Sequence, residues 1–212
     1  MAEQEEYFEH ERDEMLAFVP DNLNTILDVG CSSGNFGNLL KKKHNAEVWG
    51  IELDEGAASQ AKDKLDKVFN SPVEKALPEC PENTFDLVCF NDVLEHLVEP
   101  EQVLLDIKSK LKDNGVILFS IPNMRYYKVL LDLFFKKKWE YQDEGILDRT
   151  HLRFYTFKSI LNMMKRLDYE VLRFEGLGVT RSFKYKLLNL LTLGTSSDAK
   201  YVKFVCLAKP KT

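Results

Sequence analysis

Apolar and polar positions fall into blocks whose period changes along the chain. Glu3 to Val19 reads as a polar helix with an apolar stripe at Tyr7, Phe8, Met15 and Phe18. Pro20-Asp21-Asn22 ends it. Short continuous apolar runs then alternate with helical patterns. Thr25–Val29, Glu47–Ile51, Phe85–Phe90 and Val116–Ile121 read as buried strands, with a weaker one at Lys67–Phe69. Asn35–Lys43, Glu55–Leu65 and Glu101–Leu111 read as the intervening helices. Strands that alternate with helices imply crossover connections and a parallel sheet covered on both faces.

Past Pro122 the rhythm breaks. Residues 123–150 are aromatic and charged, with a Lys136-Lys137-Lys138 run, Trp139 and Tyr141. A helix over Lys158–Leu167 and strands over Tyr169–Phe174 and Tyr201–Ala208 follow, the last two suited to antiparallel pairing. Residues 123–150 and 178–199 read as insertions on one domain spanning 1–212, the first a substrate lid. Phe183, Leu187, Leu188, Leu190 and Leu191, with Lys184 and Lys186 among them, make a basic amphipathic segment. It could touch a lipid-linked acceptor or a second subunit, as in a homodimer, or cap the sheet; the cap is favoured.

Composition narrows the classes. The 212 residues are 44% hydrophobic and 30% charged, as in globular domains. The net charge of −5 gives no bulk attraction for nucleic acid. The acidic start has no signal-peptide core, and no apolar run is long enough to span a membrane. Cys31, Cys80, Cys89 and Cys206 are too far apart for a Cys-x-x-Cys metal site. A reduced, cytoplasmic protein is expected.

The chemistry concentrates in Ile26-Leu-Asp-Val-Gly-Cys-Ser-Ser-Gly-Asn-Phe-Gly37. A strand runs into a glycine-rich turn that opens a helix, the place where open parallel sheets bind nucleotides. Glycines at 30, 34 and 37 give G-x-x-x-G-x-x-G rather than the dinucleotide G-x-G-x-x-G. Cys31, Ser32 and Ser33 would crowd a diphosphate, and no Gly-Lys-Ser/Thr follows, so the loop suits a nucleoside without phosphates. Glu52 closes the second strand, 22 residues past Gly30, where a carboxylate can accept from both ribose hydroxyls.

These segments, with VWGIELD, FDLVCFNDVLEHL, LKDNGVILFSIPN and DRTHLRFYT, make the chain resemble class I S-adenosylmethionine-dependent methyltransferases from about residue 7 to 175. The resemblance implies a Rossmann-like three-layer α/β sandwich with a mostly parallel seven-stranded sheet and an antiparallel edge strand. It implies S-adenosylmethionine as cofactor and a methyl acceptor that is a small molecule or glycan, methylated on oxygen in preference to nitrogen. Asp28 and Gly30 would line the amino-acid end of the cofactor, with Cys31, Ser32, Gly34, Asn35 and Phe36 completing the loop. Glu52 would hold the ribose, Leu53 the adenine face and Asn91 the methionine end. Tyr7 and Arg12 match an N-terminal segment that folds over the cofactor in relatives. Where relatives often carry G-D-x-E, this chain has Ser71-Pro72-Val73-Glu74, so the adenine would fall to the Val73 amide or to water.

Four histidines are present. His44 ends a lysine-rich helix and His10 has no clear role. His96 and His151 are the candidate bases. If 92–98 is helical, Asp92, Glu95 and His96 share a face, and with His151 they could hold Mg²⁺ or Mn²⁺, as similar clusters do in some related oxygen methyltransferases. A helix start with acidic residues favoured by the dipole is the plainer account, and a metal is the less favoured outcome. Three rival classes stand beside this one: a nicotinamide-dependent oxidoreductase, a non-catalytic cofactor-binding module, and a nucleic-acid methyltransferase.

Overall fold

The computed structural model describes residues 13–211. The element order is α1 (Asp13–Leu16), β1 (Thr25–Val29), α2 (Asn35–His44), β2 (Glu47–Glu52), α3 (Glu55–Lys62), β3 (Lys67–Asn70), α4 (Val73–Ala76), β4 (Phe85–Asn91), α5 (Pro100–Ile107) and β5 (Leu111–Pro122). Then come α6 (Tyr127–Lys136), α7 (Phe157–Arg166), β6 (Tyr169–Leu177), α8 (Phe183–Leu191) and β7 (Lys203–Pro210). One seven-stranded sheet runs β3-β2-β1-β4-β5-β7-β6. Strands β1 to β5 pair in parallel, and β7 is antiparallel to both β5 and β6. The expected architecture is therefore present. The reversed strand lies one position in from the edge, and β6 is the edge itself.

Burial on both faces explains the near-continuous apolar runs of the central strands. Along β1, Ile26 joins Val48, Leu87 and Leu118 against Phe36 and Leu40 of α2 and Ala61 of α3. Leu27 and Val29 join Phe90, Ile117 and Phe119 against Val103 and Leu104 of α5 and Met163 of α7. Helix α7 is anchored by a capping box, in which Thr156 Oγ1 accepts from the Ser159 amide and Ser159 Oγ from the Thr156 amide. No helix among the described residues is long and apolar enough to cross a membrane.

The inserted segments behave differently from the sheet. Residues 123–150 supply α6 and then irregular chain. Asn123 ties the start of this insertion to the end of the other one. Its buried amide donates to the carbonyls of Asp198 and Tyr201 and accepts from the Arg125 amide. Helix α8 does not cap the sheet as expected. None of its residues is buried, and it packs on α6 instead. The reason is that β6 and β7 already complete that end of the sheet.

Strand order reverses at β1, whose neighbours β2 and β4 are reached by crossovers on opposite sides. The crevice at such a reversal opens at the carboxyl ends of β1 and β4, that is, at Gly30 and Asn91. Gly30 has φ +69°, and a Cβ there would lie 2.5 Å from Val93 Cγ2. The loop after β1 thus presses directly on the turn after β4. Replacing Gly30 by alanine should lower unfolding stability by about 1–3 kcal/mol, read as a shift of the urea midpoint at unchanged slope. A wild-type midpoint would show that this close approach carries no strain.

Candidate active site

Main-chain bonds set the loop first. The amides of Gly30 and Cys31 both donate to the Ile51 carbonyl, at 2.8 and 3.1 Å, which draws the loop over the end of β2. Ser32 sits in the left-handed region, with φ 51°. Its amide donates to Glu52 Oε2 at 2.7 Å, and the Asp54 amide donates to Glu52 Oε1 at 2.9 Å. One bond to each oxygen leaves each a further acceptor lone pair. Glu52 therefore faces the loop.

The other residues expected at the cofactor divide by what their side chains do. Asp28 is 1% exposed at the end of β1, and Asn91 5% exposed at the end of β4. Among the described residues, Asn91 Oδ1 and Ser32 Oγ take no hydrogen bond although both are buried. Buried acceptors without donors are costly, which fits a ligand group that completes them. Leu53 is 69% exposed, an apolar face turned to solvent beside Glu52. Gly34, at φ +78°, lies where a Cβ would meet the Ala61 backbone at 3.0 Å, so it lets the turn rest on α3.

Cys31, Phe36 and Asn35 serve the loop by packing and bracing. Cys31 is buried over Gly50, and its thiol is pushed above its usual range by burial, then by Asp28 and Glu52. Phe36 is in the core with Leu40. Asn35 Oδ1 accepts from Lys64, which also donates to the Ser33 carbonyl. Val73 opens α4 behind Pro72, so its amide is one of the helix-start donors with no partner within the helix. Tyr7 and Arg12 lie outside the described residues.

The turn after β4 departs from the expected helix. Asp92 has φ 54°, and only a 3-10 turn, Leu94–His96, follows. Asp92 instead turns to the sheet, where Oδ1 accepts from Ser120 Oγ at 2.5 Å and Oδ2 from Lys203 at 3.3 Å. The shared face of Asp92, Glu95 and His96 does not form, because Asp92 is outside the helical region and held by β5 and β7. What forms is Glu95, His96 and His151, with one candidate ligand atom from each, all within 4.8 Å of one another.

That cluster is assembled across some fifty residues of sequence. The amides of Leu152 and Arg153 both donate to the Glu95 carbonyl, at 2.8 and 3.0 Å, and the Arg153 guanidinium reaches the Val98 carbonyl. The segment after residue 150 is thereby laid along the turn after β4. His96 and His151 meet edge to face at 4.7 Å. His151 Nδ1 lies 3.0 Å from the Ile146 carbonyl and donates to it, and Nε2 lies 4.0 Å from Glu95 Oε1. His96 Nδ1 is 3.0 Å from Thr150 Oγ1 and 3.3 Å from the Thr150 carbonyl. Thr150 Oγ1 in turn donates to Asp148 Oδ1 at 2.7 Å. The hydrogen again sits on Nδ1, and Nε2 keeps its lone pair. Burial, then the His151 charge, lowers the His96 pKa from 6.5, against opposing effects of the Thr150 carbonyl, Asp148 and Asp92.

Thr150, Asp148 and the Ile146 carbonyl escaped the reading of the chain. Asp148 and Thr150 are part of the quoted D-R-T-H run, and that spacing was their only signal. A cavity of about 280 Å³ lies within the 123–150 segment, lined by Tyr126, Val129, Asp132, Gln142 and Ile146 among others. It is separate from the Gly30–Glu52 crevice and meets the histidine pair at Ile146. Trp139 and Tyr141 pack on Phe154 at 5.6 and 6.3 Å.

Known proteins resemble this chain in sequence and in fold. A family model described as a methyltransferase domain matches residues 1–173. A ubiquinone biosynthesis O-methyltransferase of Aliivibrio fischeri is 26% identical over 200 residues, 88% of this chain and 81% of that protein. A mitochondrial enzyme of the same name from Candida albicans is 30% identical over 138 residues, 59% of this chain; the chain spans only 40% of that relative's length. An S-adenosylmethionine-dependent methyltransferase structure from Archaeoglobus fulgidus superposes with a TM-score of 0.71 at 17% identity, covering 92% of this chain and 91% of the other. Sheet order, glycine loop and family match agree, and the chain belongs to the methyltransferase-domain family, on the class I S-adenosylmethionine-dependent fold.

Proposed function

We propose that this protein transfers the methyl group of S-adenosylmethionine to a hydroxyl oxygen of a small molecule held under the 123–150 lid, with His96 as general base. The observation that carries the reading is the Asp148–Thr150–His96 chain. It fixes the imidazole tautomer so that a neutral Nε2 is the acceptor. Relatives named as O-methyltransferases support oxygen as the acceptor atom.

The residues at the crevice fit the cofactor through the Glu52 lone pairs, the unsatisfied Asn91 and Ser32 oxygens, and the two glycines where a Cβ would collide. When bound, the cofactor supplies an electrophilic methyl and its own leaving group. Glu52 would accept from the ribose hydroxyls, Asp28 and Asn91 would hold the amino-acid end, and Leu53 would cover the adenine. His96 would take the acceptor's proton as its oxygen takes the methyl, with Thr150 and Asp148 positioning the ring. The remaining contribution of the chain is placement of the two reactants.

A second reading of the same cluster is favoured by the donor set at Glu95, His96 and His151. Two imidazole nitrogens held through their other ring nitrogen, plus a buried carboxylate, suit Mn²⁺, Fe²⁺ or Zn²⁺. Without Asp92, the set has too few oxygens to favour Mg²⁺.

Five outcomes are expected. Glu52→Ala should weaken S-adenosylhomocysteine binding by about 1–3 kcal/mol, through lost charge-assisted bonds; calorimetry showing an unchanged Kd would remove the ribose assignment. His96→Ala should lower kcat on a hydroxyl acceptor roughly 10²–10⁴-fold, while the cofactor Kd holds. Because the folded His96 protonates only below 6.5, kcat/KM should stay flat through neutrality and fall on the acid side of that value. Stability follows the same sign, since the unfolded chain takes up the proton first and folding weakens as pH drops through 6.5. Finally, a chelated preparation titrated with Mn²⁺ should keep full activity if His96 acts as a base. Activity that vanishes on chelation and returns with Mn²⁺ would favour the metal reading.

A further inference from the structure

We infer that α6 and α8 together form a docking surface for a bilayer carrying anionic headgroups. The argument starts from α8. Phe183, Leu187, Leu190 and Leu191 recur at i, i+4, i+7 and i+8, one stripe of a helix. Such a stripe ordinarily faces a core. Here it faces solvent, with Phe183, Leu190 and Leu191 each more than 70% exposed. The opposite side of the helix does the packing, as Tyr185 meets Tyr127 of α6 at 6.4 Å. The end of α6 adds Phe134 and Phe135, 78% and 70% exposed and meeting edge to face at 5.0 Å. Contiguous apolar surface of this kind marks an interaction site.

Charge identifies the partner. Residues 124–138 and 178–193 carry eight basic side chains and one acidic one, +7 in a chain whose total is −5. Among the described residues, Lys128, Lys137, Arg181, Lys184 and Lys186 take no ion pair. The one acid, Asp132, is occupied by Lys136, and the acids that follow, Glu140 and Asp143, by Lys138 and Arg149. The two helices form one patch, because the Lys136 bond to Asp132 is supplemented by the charges of Lys138 and Lys184, which hold that carboxyl below its ordinary range. Exposed aromatics and leucines ringed by unpaired cations are the signature of a helix lying in a membrane interface, and each cation adds to attraction for anionic lipid. A soluble apolar partner would have no use for the cations, and a second copy would bring the same positive charge against them. The surface is continuous with the lid, since Val129 and Asp132 of α6 also line the cavity beneath it. An acceptor partitioned in the bilayer would therefore meet the protein at its substrate side.

The test needs no acceptor. The full chain is mixed with vesicles of equal parts phosphatidylglycerol and phosphatidylcholine and floated on a density gradient. We expect the protein to float with these vesicles, to float poorly with phosphatidylcholine alone, and to be released by high salt. K184E/K186E should weaken partitioning by roughly tenfold or more, and F134S/F183S by a similar factor. Both pairs should bind S-adenosylhomocysteine as the unaltered chain does, which separates loss of docking from misfolding and from failure of the cofactor assignment. The proposal is overturned by absence of flotation, by flotation indifferent to headgroup charge, or by double variants that float normally. It is also overturned if sedimentation shows a dimer that the same substitutions dissociate, which would assign the patch to a second copy of the chain.

Discussion

The molecule turns on one close approach. At the reversal of strand order, the loop leaving β1 and the turn leaving β4 touch at Gly30 and Val93, with no room for a β-carbon between them. That contact needs a positive φ, which glycine adopts without cost. It brings Glu52, Asp28 and Asn91 to one crevice from the ends of three adjacent strands. Two neighbours, Ser32 and Asp92, take the left-handed conformation without being glycine. Each is held by outside bonds, Ser32 by Glu52 and Asp92 by Ser120 and Lys203. Backbone strain of this kind gathers where a fold must aim groups rather than merely pack them.

The second half of the site depends on the first. The turn after β4 offers the Glu95 carbonyl to two successive amides, those of Leu152 and Arg153. That docking brings His151 against His96 and places Thr150 at the ring nitrogen that must carry a hydrogen. Glu95 itself is 1% exposed, so the pair works in a medium where charge is expensive and proton positions are well defined. The segment carrying Thr150 and His151 is thus tied to the turn after β4 through backbone bonds. Burial of Tyr155 in the same strip, which with the Glu95 charge pushes its phenol up to about 12, keeps a further hydroxyl neutral beside them.

Legibility in the chain followed the kind of signal each part left. The parallel strands read well, because a strand buried on both faces must be apolar along its length, and β1, β2 and β4 are. The glycine loop and Glu52 read well, because spacing from a strand end converts directly into position. Element ends did not. Strand β5 begins at Leu111, where the pattern suggested the close of a helix, since pairing of Leu111 with Phe85 outweighs the polar residues that follow it. The metal face drawn through Asp92 failed for a related reason. Helical spacing was applied to residues whose backbone is bent by contacts with Ser120 and Lys203, which lie far off in the chain. Helix α8 was expected to cap the sheet, because an apolar stripe usually has a core to face, and this one has none.

What the sequence alone determined was local: which stretches bury both faces, where a tight turn must follow β1, and which carboxylate stands at the end of β2. These depend on periodicity, on the conformational range of glycine and on counting along an extended strand. Only the tertiary structure decided which of two histidines has its tautomer held by a threonine, that Asp92 serves the sheet, and that the apolar stripe of α8 is turned outward. Those outcomes arise from contacts between residues 28 to 111 positions apart, which no local pattern encodes.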